Sequence, residues 1–291
     1  MNDALNLMLK KYNCKSINDY ENALKEVVQE IVLLGLWRAK FYEKAAFYGG
    51  SALRILYELN RFSEDLDFSL LKPDENIDLS KYHKAIESEL TSFGLSVDVI
   101  PKIKNSNTKI DSAFIKAGTL QNMISIEVPI NLRKRIHKNK AIKIKFEVDK
   151  NPPQGFDTEA KYLLQPIPFS VNTFTLPSLF AGKMHAVLCR NWQHRVKGRD
   201  WYDLVWFISR STALNLTHLE LRMKQSEHLK QHDILTKVKL LELLNYKIDS
   251  VDFLSAKDDV KNFIKDQNVL EVWSKDFFVD IIKDIKFENC N

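Results

Sequence analysis

The stretch of residues 47–70, FYGGSALRILYELNRFSEDLDFSL, places the strongest constraint on what this chain can fold into. A short apolar segment, Ala45–Tyr48, has the composition of a buried strand and is followed at once by two glycines. Residues 51–59 then carry apolar side chains at helical spacing, and residues 65–71 carry the alternation of a strand. The order of strand, glycine turn, helix and strand predicts a unit in which a helix packs on a sheet.

Hydrophobic periodicity divides the rest of the chain into a mixed first part and a helical second part. Residues 16–40 and 81–93 have helical periodicity, and Ser16 is a candidate N-cap. Strand-like runs follow at residues 95–100, 113–116, 123–130 and 142–148. We therefore expect an α+β fold, with a mixed sheet and flanking helices in residues 1–170 and a mostly helical domain in residues 171–291.

Two further segments carry expectations of their own. Residues 150–171 contain four prolines and one glycine, a composition that is typical of a linker or an ordered crossing loop. The chain is predicted to be helical from Leu176 nearly to its end, and residues 259–278 fit an amphipathic helix.

The composition excludes several classes of protein. Hydrophobic residues make up 45% of the 291 residues, which is typical of a globular chain and not of a disordered one. There is no run of about 18 apolar residues that could span a membrane, and residues 1–11 lack the pattern of a signal peptide. The cysteines are far apart and form no zinc motif, so we expect a cytoplasmic protein in which Cys14, Cys189 and Cys290 are reduced.

Basic residues are concentrated in one segment of the chain. Residues 133–145 contain no acid and seven lysines or arginines, which are Arg133, Lys134, Arg135, Lys138, Lys140, Lys143 and Lys145. A segment of this kind attracts polyanions, so a nucleic-acid backbone is a candidate partner. The alternative is that this basic run forms the solvated face of a strand and hairpin.

Asp65 and Asp67 form the pattern with the clearest chemical meaning. Their spacing on a strand directs both carboxylates to one face, while Leu66 and Phe68 point to the opposite, buried side. Two adjacent carboxylates repel each other, and a divalent cation relieves that repulsion. Mg²⁺ prefers a few carboxylates together with phosphate oxygens, so the pair predicts a site for a metal-bound triphosphate.

The glycines before the helix supply a complementary feature. Gly49, Gly50 and Ser51 lie between a strand and the start of a helix, where bare backbone N–H groups and the positive helix end favour phosphate. Each of these signals is weak alone, because D-x-D occurs often by chance and Gly-Gly is usually only a turn. Their order and spacing together predict a nucleotide site.

This combination resembles the signature of the polymerase-β-like nucleotidyltransferases: an apolar residue, Gly, Ser, a spacer of about a dozen residues, then Asp-apolar-Asp. The fuller string, GGSALR…RFSEDLDF, is similar to the AbiEii/AbiGii toxin family, the enzyme halves of bacterial type IV toxin–antitoxin and phage-defence systems. The resemblance implies a polymerase-β-like mixed sheet and transfer of a nucleoside monophosphate from an NTP with two Mg²⁺ ions. It also implies an RNA acceptor, such as a tRNA 3′ end, and an AbiEi-like antitoxin as partner.

The resemblance assigns further residues to this chemistry. Polymerase-β-like enzymes take a third carboxylate from a later strand, and Glu147 is the first choice because residues 142–148 alternate most cleanly. Asp149 has the same parity and is the second choice, while an ordinary exposed strand acid is the alternative for Glu147. Nucleotide contacts are expected from Gly49, Gly50, Ser51 and Arg54.

A second block, residues 176–207, resembles later motifs of the family, in which a helical lysine precedes K-x-RD-x-YDL. The resemblance assigns Lys183 to the leaving pyrophosphate, and it assigns Arg199 and Asp200 to ordering the site or the acceptor. The structural alternative for Asp200 is a helix N-cap. For Asp203 it is a salt bridge to Arg199 or Lys197.

The sequence therefore predicts two-metal nucleotidyl transfer. The expected metal ligands are Asp65, Asp67 and Glu147, and the further catalytic residues are Lys183 and Asp200. Two alternatives stay open. One is phosphoryl transfer to a protein or a small molecule on the same fold, because the metal and triphosphate contacts would be shared. The other is a binding module that kept the fold without catalysis, and the intact acid pair argues against it.

Overall fold

The computed structural model describes residues 3–95, 97–101, 119–126, 142–190 and 196–288. By their contacts, the described residues form two compact units. Unit 1 contains the described residues up to 58, from 62 to 152 and from 158 to 173. Unit 2 contains residues 59–61 and 153–157 and the described residues from 174 onward.

Unit 1 is built on a mixed β-sheet. Its helices are α1 (Asp3–Lys10), α2 (Ile17–Arg38), α3 (Gly49–Tyr57) and α4 (Ser80–Ser92). Its strands are β1 (Ala45–Tyr48), β2 (Leu66–Leu70), β3 (Val97–Pro101), β4 (Thr119–Ile126), β5 (Ile142–Asp149), β6 (Thr158–Leu163) and β7 (Phe169–Phe174). Among the described residues the strand order is β3-β4-β5-β2-β1-β7-β6. Strand β2 therefore lies inside the sheet, antiparallel to β1 and parallel to β5.

The core of unit 1 forms where α2 and the strands bury their apolar sides. A capping box starts α2, because the side chains of Ser16 and Asp19 each accept a hydrogen bond from the other's backbone N–H. On β2 and β5, Leu66, Phe68 and Phe146 are fully buried, and the centroids of the two phenylalanine rings lie 5.2 Å apart. Burial of these side chains makes the opposite face of both strands the polar one.

The structure confirms the α+β fold with a mixed sheet and flanking helices. The helices expected in the first part of the chain are α2, α3 and α4, and the strands expected at the acid pair and before residue 150 are β2 and β5. The strand expected at 113–116 and the last residues of the one expected at 123–130 lie outside the described residues.

The prediction of a linker or crossing loop at residues 150–171 is wrong, because the segment contains β6 and the start of β7. Pro166 and Pro168 lie in the connection between these two strands, where the missing backbone donor is tolerated. Alternate side chains of β7 are buried, and Thr173 Oγ1 donates a hydrogen bond to the carbonyl oxygen of Phe47 at 2.8 Å. The prolines thus separate two strands of the sheet.

Unit 2 is mainly helical. Its helices are α5 (Leu176–Cys189), α6 (Gly198–Ser209), α7 (Leu216–Gln225), α8 (Lys237–Asp249), α9 (Phe253–Val260) and α10 (Lys275–Ile281). Two short strands pair in parallel, β8 (Ala213–Leu214) and β9 (Lys286–Phe287). The rings of Phe180 and Phe207 stack with centroids 4.5 Å apart and join α5 to α6. None of the helices in the described ranges is long and apolar enough to cross a membrane.

The amphipathic helix expected over residues 259–278 is interrupted. Helix α9 ends at Val260, 3₁₀ turns follow, and α10 begins only at Lys275. Ser274 caps α10, because its side chain accepts a hydrogen bond from the backbone N–H of Phe277 at 3.1 Å. The apolar residues of this segment therefore lie on several short helices and turns and not on one continuous helix.

Candidate active site

One face of β2 and β5 carries the acids that their spacing singled out. The parallel pairing places Asp67 opposite Glu147, and Leu66 opposite Phe146. Since Leu66 and Phe146 are fully buried, the two acids occupy the other face of the sheet, where both are half-buried. Asp65 immediately precedes β2 and is half-buried too. We call this surface the acid face, and its members are Asp65, Asp67 and Glu147.

The register makes Glu147 the neighbour of Asp67. Asp149 lies opposite Ser69, which places it about 6–7 Å further along the strand direction. Its side chain is almost completely buried, and its Oδ1 accepts a hydrogen bond from the backbone N–H of Asn151 at 3.2 Å. The pairing of β2 with β5 thus favours Glu147 as the third acid of this face.

A lysine from β5 also lies on the acid face. Lys145 Nζ forms an ion pair with the Glu147 carboxylate. Burial acts to lower the pKa of Lys145, but the hydrogen bond to Glu147 and the charges of the three acids outweigh burial and raise that pKa overall. The Lys145 ammonium group therefore stays charged and is attracted to all three acids.

Gly49 allows the Asp67 carboxylate to approach the start of α3. Its φ is +85°, a conformation that glycine adopts without strain. A Cβ at this position would overlap Asp67 Oδ2. The next residue, Gly50, is buried in the first turn of α3. Any side chain at residue 49 would therefore displace the Asp67 carboxylate.

Ser51 is directed at the backbone that precedes β2. Its side chain is fully buried, and its Oγ donates a hydrogen bond to the carbonyl oxygen of Asp65. This bond links the first turn of α3 to the residue that begins the acid pair. The hydroxyl oxygen retains lone pairs that can accept a further hydrogen bond.

Arg54, which was expected to contact the nucleotide, is held by two groups inside unit 1. Its Nε donates a hydrogen bond to Glu26 Oε2 at 2.9 Å, and its guanidinium carbon lies 5.0 Å from the centroid of the Phe62 ring. Glu26 belongs to α2, so the ion pair ties α2 to α3. Arg54 thereby positions the helix that begins at the two glycines.

Unit 2 contains a buried ion cluster, which consists of Arg61, Lys183 and Asp203. The Arg61 guanidinium donates two hydrogen bonds of 2.6 Å to the Asp203 carboxylate, and Lys183 Nζ lies 2.7 Å from Asp203 Oδ2. Burial acts to raise the pKa of Asp203, but the charges and hydrogen bonds of its two partners hold it below its usual value. Asp203 thus pairs with Arg61 and Lys183, and the alternative of a salt bridge to Arg199 or Lys197 is wrong.

Asp200 and Arg199 lie in the first turn of α6. Lys197 is the N-cap residue of this helix, so the N-cap alternative for Asp200 is wrong. Asp200 Oδ2 accepts a hydrogen bond from Arg190 Nη1 at 2.5 Å. The Arg199 guanidinium carbon lies 4.1 Å from the centroid of the Phe263 ring. Both residues therefore have defined contacts within unit 2.

Two basic residues of these sites were missed from the sequence. Lys145 was counted only in the basic run, although its spacing of two from Glu147 on a strand predicts a shared face. Arg61 lies in the string RFSEDLDF, but its carboxylate partner is 142 positions away and no local pattern indicates it. The part of the basic run at residues 133–140 lies outside the described residues.

The acid face suits a hard divalent cation. Its donors are carboxylate oxygens, and Mg²⁺ is commonly bound by one or two carboxylates, with phosphate oxygens and water completing its shell. Within the described ranges, no group of three or more His, Cys, Asp or Glu side chains is arranged to hold a metal ion. Of the three acids, Glu147 is already paired with Lys145.

Comparisons with known proteins relate the chain to one family. Residues 31–280 match the family described as nucleotidyl transferase AbiEii toxin, type IV TA system. No curated protein matches. A Helicobacter pylori crystal structure assigned as a candidate nucleotidyltransferase is similar, with 16% identity, a TM-score of 0.47 and coverage of 88% of this chain and 90% of that one. JHP933 from Helicobacter pylori is also similar, with 16% identity, a TM-score of 0.48 and coverage of 90% of each chain.

Proposed function

Because this chain belongs to the AbiEii family of nucleotidyltransferase toxins of type IV toxin–antitoxin systems, we propose that it transfers a nucleoside monophosphate from an NTP to RNA in the cytoplasm. A tRNA 3′ end is the proposed acceptor, and an AbiEi-like antitoxin is the proposed partner that restrains the enzyme in phage defence. The observation that carries the proposal is the acid face, where Asp67 adjoins both Glu147 and the glycine turn at Gly49.

Asp65 and Asp67 are proposed to bind the metal-bound triphosphate. Strand β2 has a neighbouring strand on each side, so the backbone that carries Asp67 is held by the sheet while substrates bind and leave. Mg²⁺, when bound, neutralises charge on the triphosphate and makes the acceptor hydroxyl more acidic. The contact between Ser51 and the Asp65 carbonyl oxygen fixes the first carboxylate of the pair.

The proposed reaction forms a phosphodiester bond as a phosphoanhydride bond of the NTP breaks. The acceptor oxygen attacks the α-phosphorus of the NTP, the new P–O bond forms as the bond to the pyrophosphate oxygen breaks, and pyrophosphate leaves. Glu147 is proposed to accept the proton of the acceptor hydroxyl, because it is the acid opposite Asp67 in the sheet. Lys145 orients this carboxylate through their ion pair.

Phosphate contacts are proposed for the start of α3 and for Lys183. The backbone N–H groups at Gly49 and Gly50 stand at the positive end of α3, which favours phosphate. The ammonium group of Lys183, which is paired with Asp203, is proposed to attract the leaving pyrophosphate. Arg199 and Asp200 are proposed to order the acceptor.

RNA is the proposed acceptor because residues 133–145 concentrate positive charge. Phosphate contacts release counterions, so use of the acceptor should weaken steeply as salt increases. Replacing Arg133, Lys134 and Arg135 with alanine should flatten that slope by about one unit per lost contact. NTP binding should change little in this variant, since the triphosphate is assigned to other residues.

Incubation of the chain with total RNA, Mg²⁺ and each NTP labelled at the α-phosphate tests the proposed function. We expect one or more NTPs to label a discrete RNA species, and Asp67→Asn to abolish the label. Asp74→Asn, which removes an exposed acid of unit 1, is the matched control and should label as the unmodified chain does. The same incubation is repeated with NTPs labelled at the γ-phosphate. Transfer of the γ-phosphate label to the acceptor would identify a phosphotransferase, and transfer of neither label would contradict catalysis.

A further inference from the structure

We propose that Lys145 is a built-in cation of the acid face, and that it takes the place of a second divalent ion. The chain would then bind one divalent ion, at Asp65 and Asp67. This inference rests on the proposed function because it concerns the same site. It makes a separate claim, however, about how the charges of the acids are neutralised and about how many ions the protein takes up.

Four side chains lie near one another on this face. Glu147 lies opposite Asp67 in the pairing of β2 with β5, Lys145 lies two residues earlier on β5, and Asp65 immediately precedes β2. Neighbouring strands lie about 4.8 Å apart, and alternate residues of one strand lie about 6–7 Å apart. The long lysine side chain can span distances of this size, so its ammonium group reaches the acids from within the sheet itself.

The structure shows Lys145 engaged with these acids. Its Nζ is paired with Glu147, and its positive charge also interacts with Asp65 and Asp67. The side chains of Lys145 and Glu147 are 32% and 22% exposed, so solvent screens the pair less than it screens a bridge on an open surface. The contact is therefore part of the site and is not an incidental surface pair.

The pairing of Glu147 with Lys145 favours one ion. A second ion would need Glu147, and that carboxylate is already paired with Lys145. A second ion would also be repelled by the ammonium group at close range.

Titration with Mn²⁺ alone, followed by electron paramagnetic resonance of the free ion, tests the inference without an activity measurement. The unmodified chain should bind one Mn²⁺, and Asp67→Asn should lose it. Lys145→Met should bind a second Mn²⁺ and should bind the first about tenfold more tightly, because a nearby positive charge is gone. Lys145→Arg keeps the cation and should behave like the unmodified chain.

Lys143→Met is the matched control. Lys143 is exposed and lies two residues earlier on the same face of β5, so this variant removes the same charge away from the acids and should bind one Mn²⁺ with unchanged affinity. Thermal unfolding checks that each variant is folded, and Lys145→Gln replaces Lys145→Met if the latter is not. Two ions on the unmodified chain, or unchanged Mn²⁺ binding in a folded Lys145 variant, would overturn the inference.

These outcomes are distinct from failure of the proposed function. A chain that labels RNA from the α-phosphate but binds two Mn²⁺ ions retains the function and has no built-in cation. A chain that binds one Mn²⁺, and gains a second in Lys145→Met, has the built-in cation even if it labels no RNA. If neither the unmodified chain nor Lys145→Met binds Mn²⁺, both proposals are wrong.

Discussion

The acid face of unit 1 and the buried ion cluster of unit 2 differ in how deeply their carboxylates are buried and in how these carboxylates are paired. In the cluster, the fully buried Asp203 carboxylate is contacted by both Arg61 and Lys183, so the chain itself satisfies the carboxylate. On the acid face, three half-buried carboxylates lie close together, and Lys145 is paired with Glu147 and attracted to Asp65 and Asp67. A satisfied buried carboxylate makes the fold depend on its partners. Half-buried carboxylates gathered on one face of a sheet instead offer oxygen ligands to a cation.

The largest expected effect comes from removing a carboxylate of the acid face. Asp67→Ala should lower nucleotidyl transfer by about 10⁴-fold, because the loss of a charged metal ligand removes several kcal/mol of transition-state stabilisation. Its thermal unfolding midpoint should stay close to that of the unmodified chain, because the change also removes the repulsion of Asp67 by Asp65 and Glu147. Label incorporation and a melting curve measure the two quantities. A large loss of stability would show that this face is structural, as the cluster is.

The next effect, on stability, comes from the cluster. Asp203→Asn should lower the free energy of unfolding by about 3–5 kcal/mol, because it leaves Arg61 and Lys183 without a counter-charge in a buried site. Denaturant titration measures this change. Asp74→Asn, at an exposed position, should change the free energy of unfolding by less than about 0.5 kcal/mol. If the two variants are equally stable, the contrast between the regions fails.

A smaller effect should separate the two candidate third acids. Glu147→Gln should lower transfer by about 10²-fold through loss of the proton acceptor, while binding of the NTP persists. Asp149→Asn should be mild, because Asp149 lies opposite Ser69 and away from Asp67. Single-turnover rates and NTP binding on both variants test this. The reverse pattern would move the third acid to Asp149 and shift the acid face along β5.

The smallest expected effect is on the pH dependence of stability. The pKa of Asp203 is held below its usual value in the folded chain, so its stabilising contribution is complete above about pH 5 and declines as the pH falls below about 4. Denaturant titrations from pH 6 to pH 3 should therefore show the gap between the unmodified chain and Asp203→Asn narrowing by roughly 1 kcal/mol. A gap that is constant over this range would mean that Asp203 does not gain from its partners.

The acid face could be predicted because its information is local. Alternation along β2 and β5 identifies which residues share a face, and a strand spacing of two places Asp65 with Asp67 and Lys145 with Glu147. The pairing that brings Asp67 opposite Glu147 is a tertiary contact between strands 80 positions apart, and alternation alone does not fix that register. Family resemblance supplied Glu147 as a prediction, and the register places Glu147, rather than Asp149, opposite Asp67.

The buried ion cluster could not be predicted from the sequence, because its members are far apart in the chain. Arg61 and Asp203 are 142 positions apart, and charged residues at that distance carry no periodic signal. The prediction of a linker at residues 150–171 is wrong for a different reason. The prolines that indicated a linker lie outside β6 and β7, whereas the alternation of buried side chains within β7 indicates a strand. Local patterns therefore identified faces and helices, whereas partners and sheet edges required the folded chain.

The close approach of Asp67 to Gly49 predicts which mutations allow cells to survive production of this toxin. Any codon change that replaces this glycine puts a side chain where the Asp67 oxygen lies. In cells that produce the toxin without its antitoxin, we expect surviving clones to carry substitutions at residue 49 as well as at the acids. Such clones should still accumulate full-length protein, because the change displaces one carboxylate and leaves the apolar core of the sheet untouched.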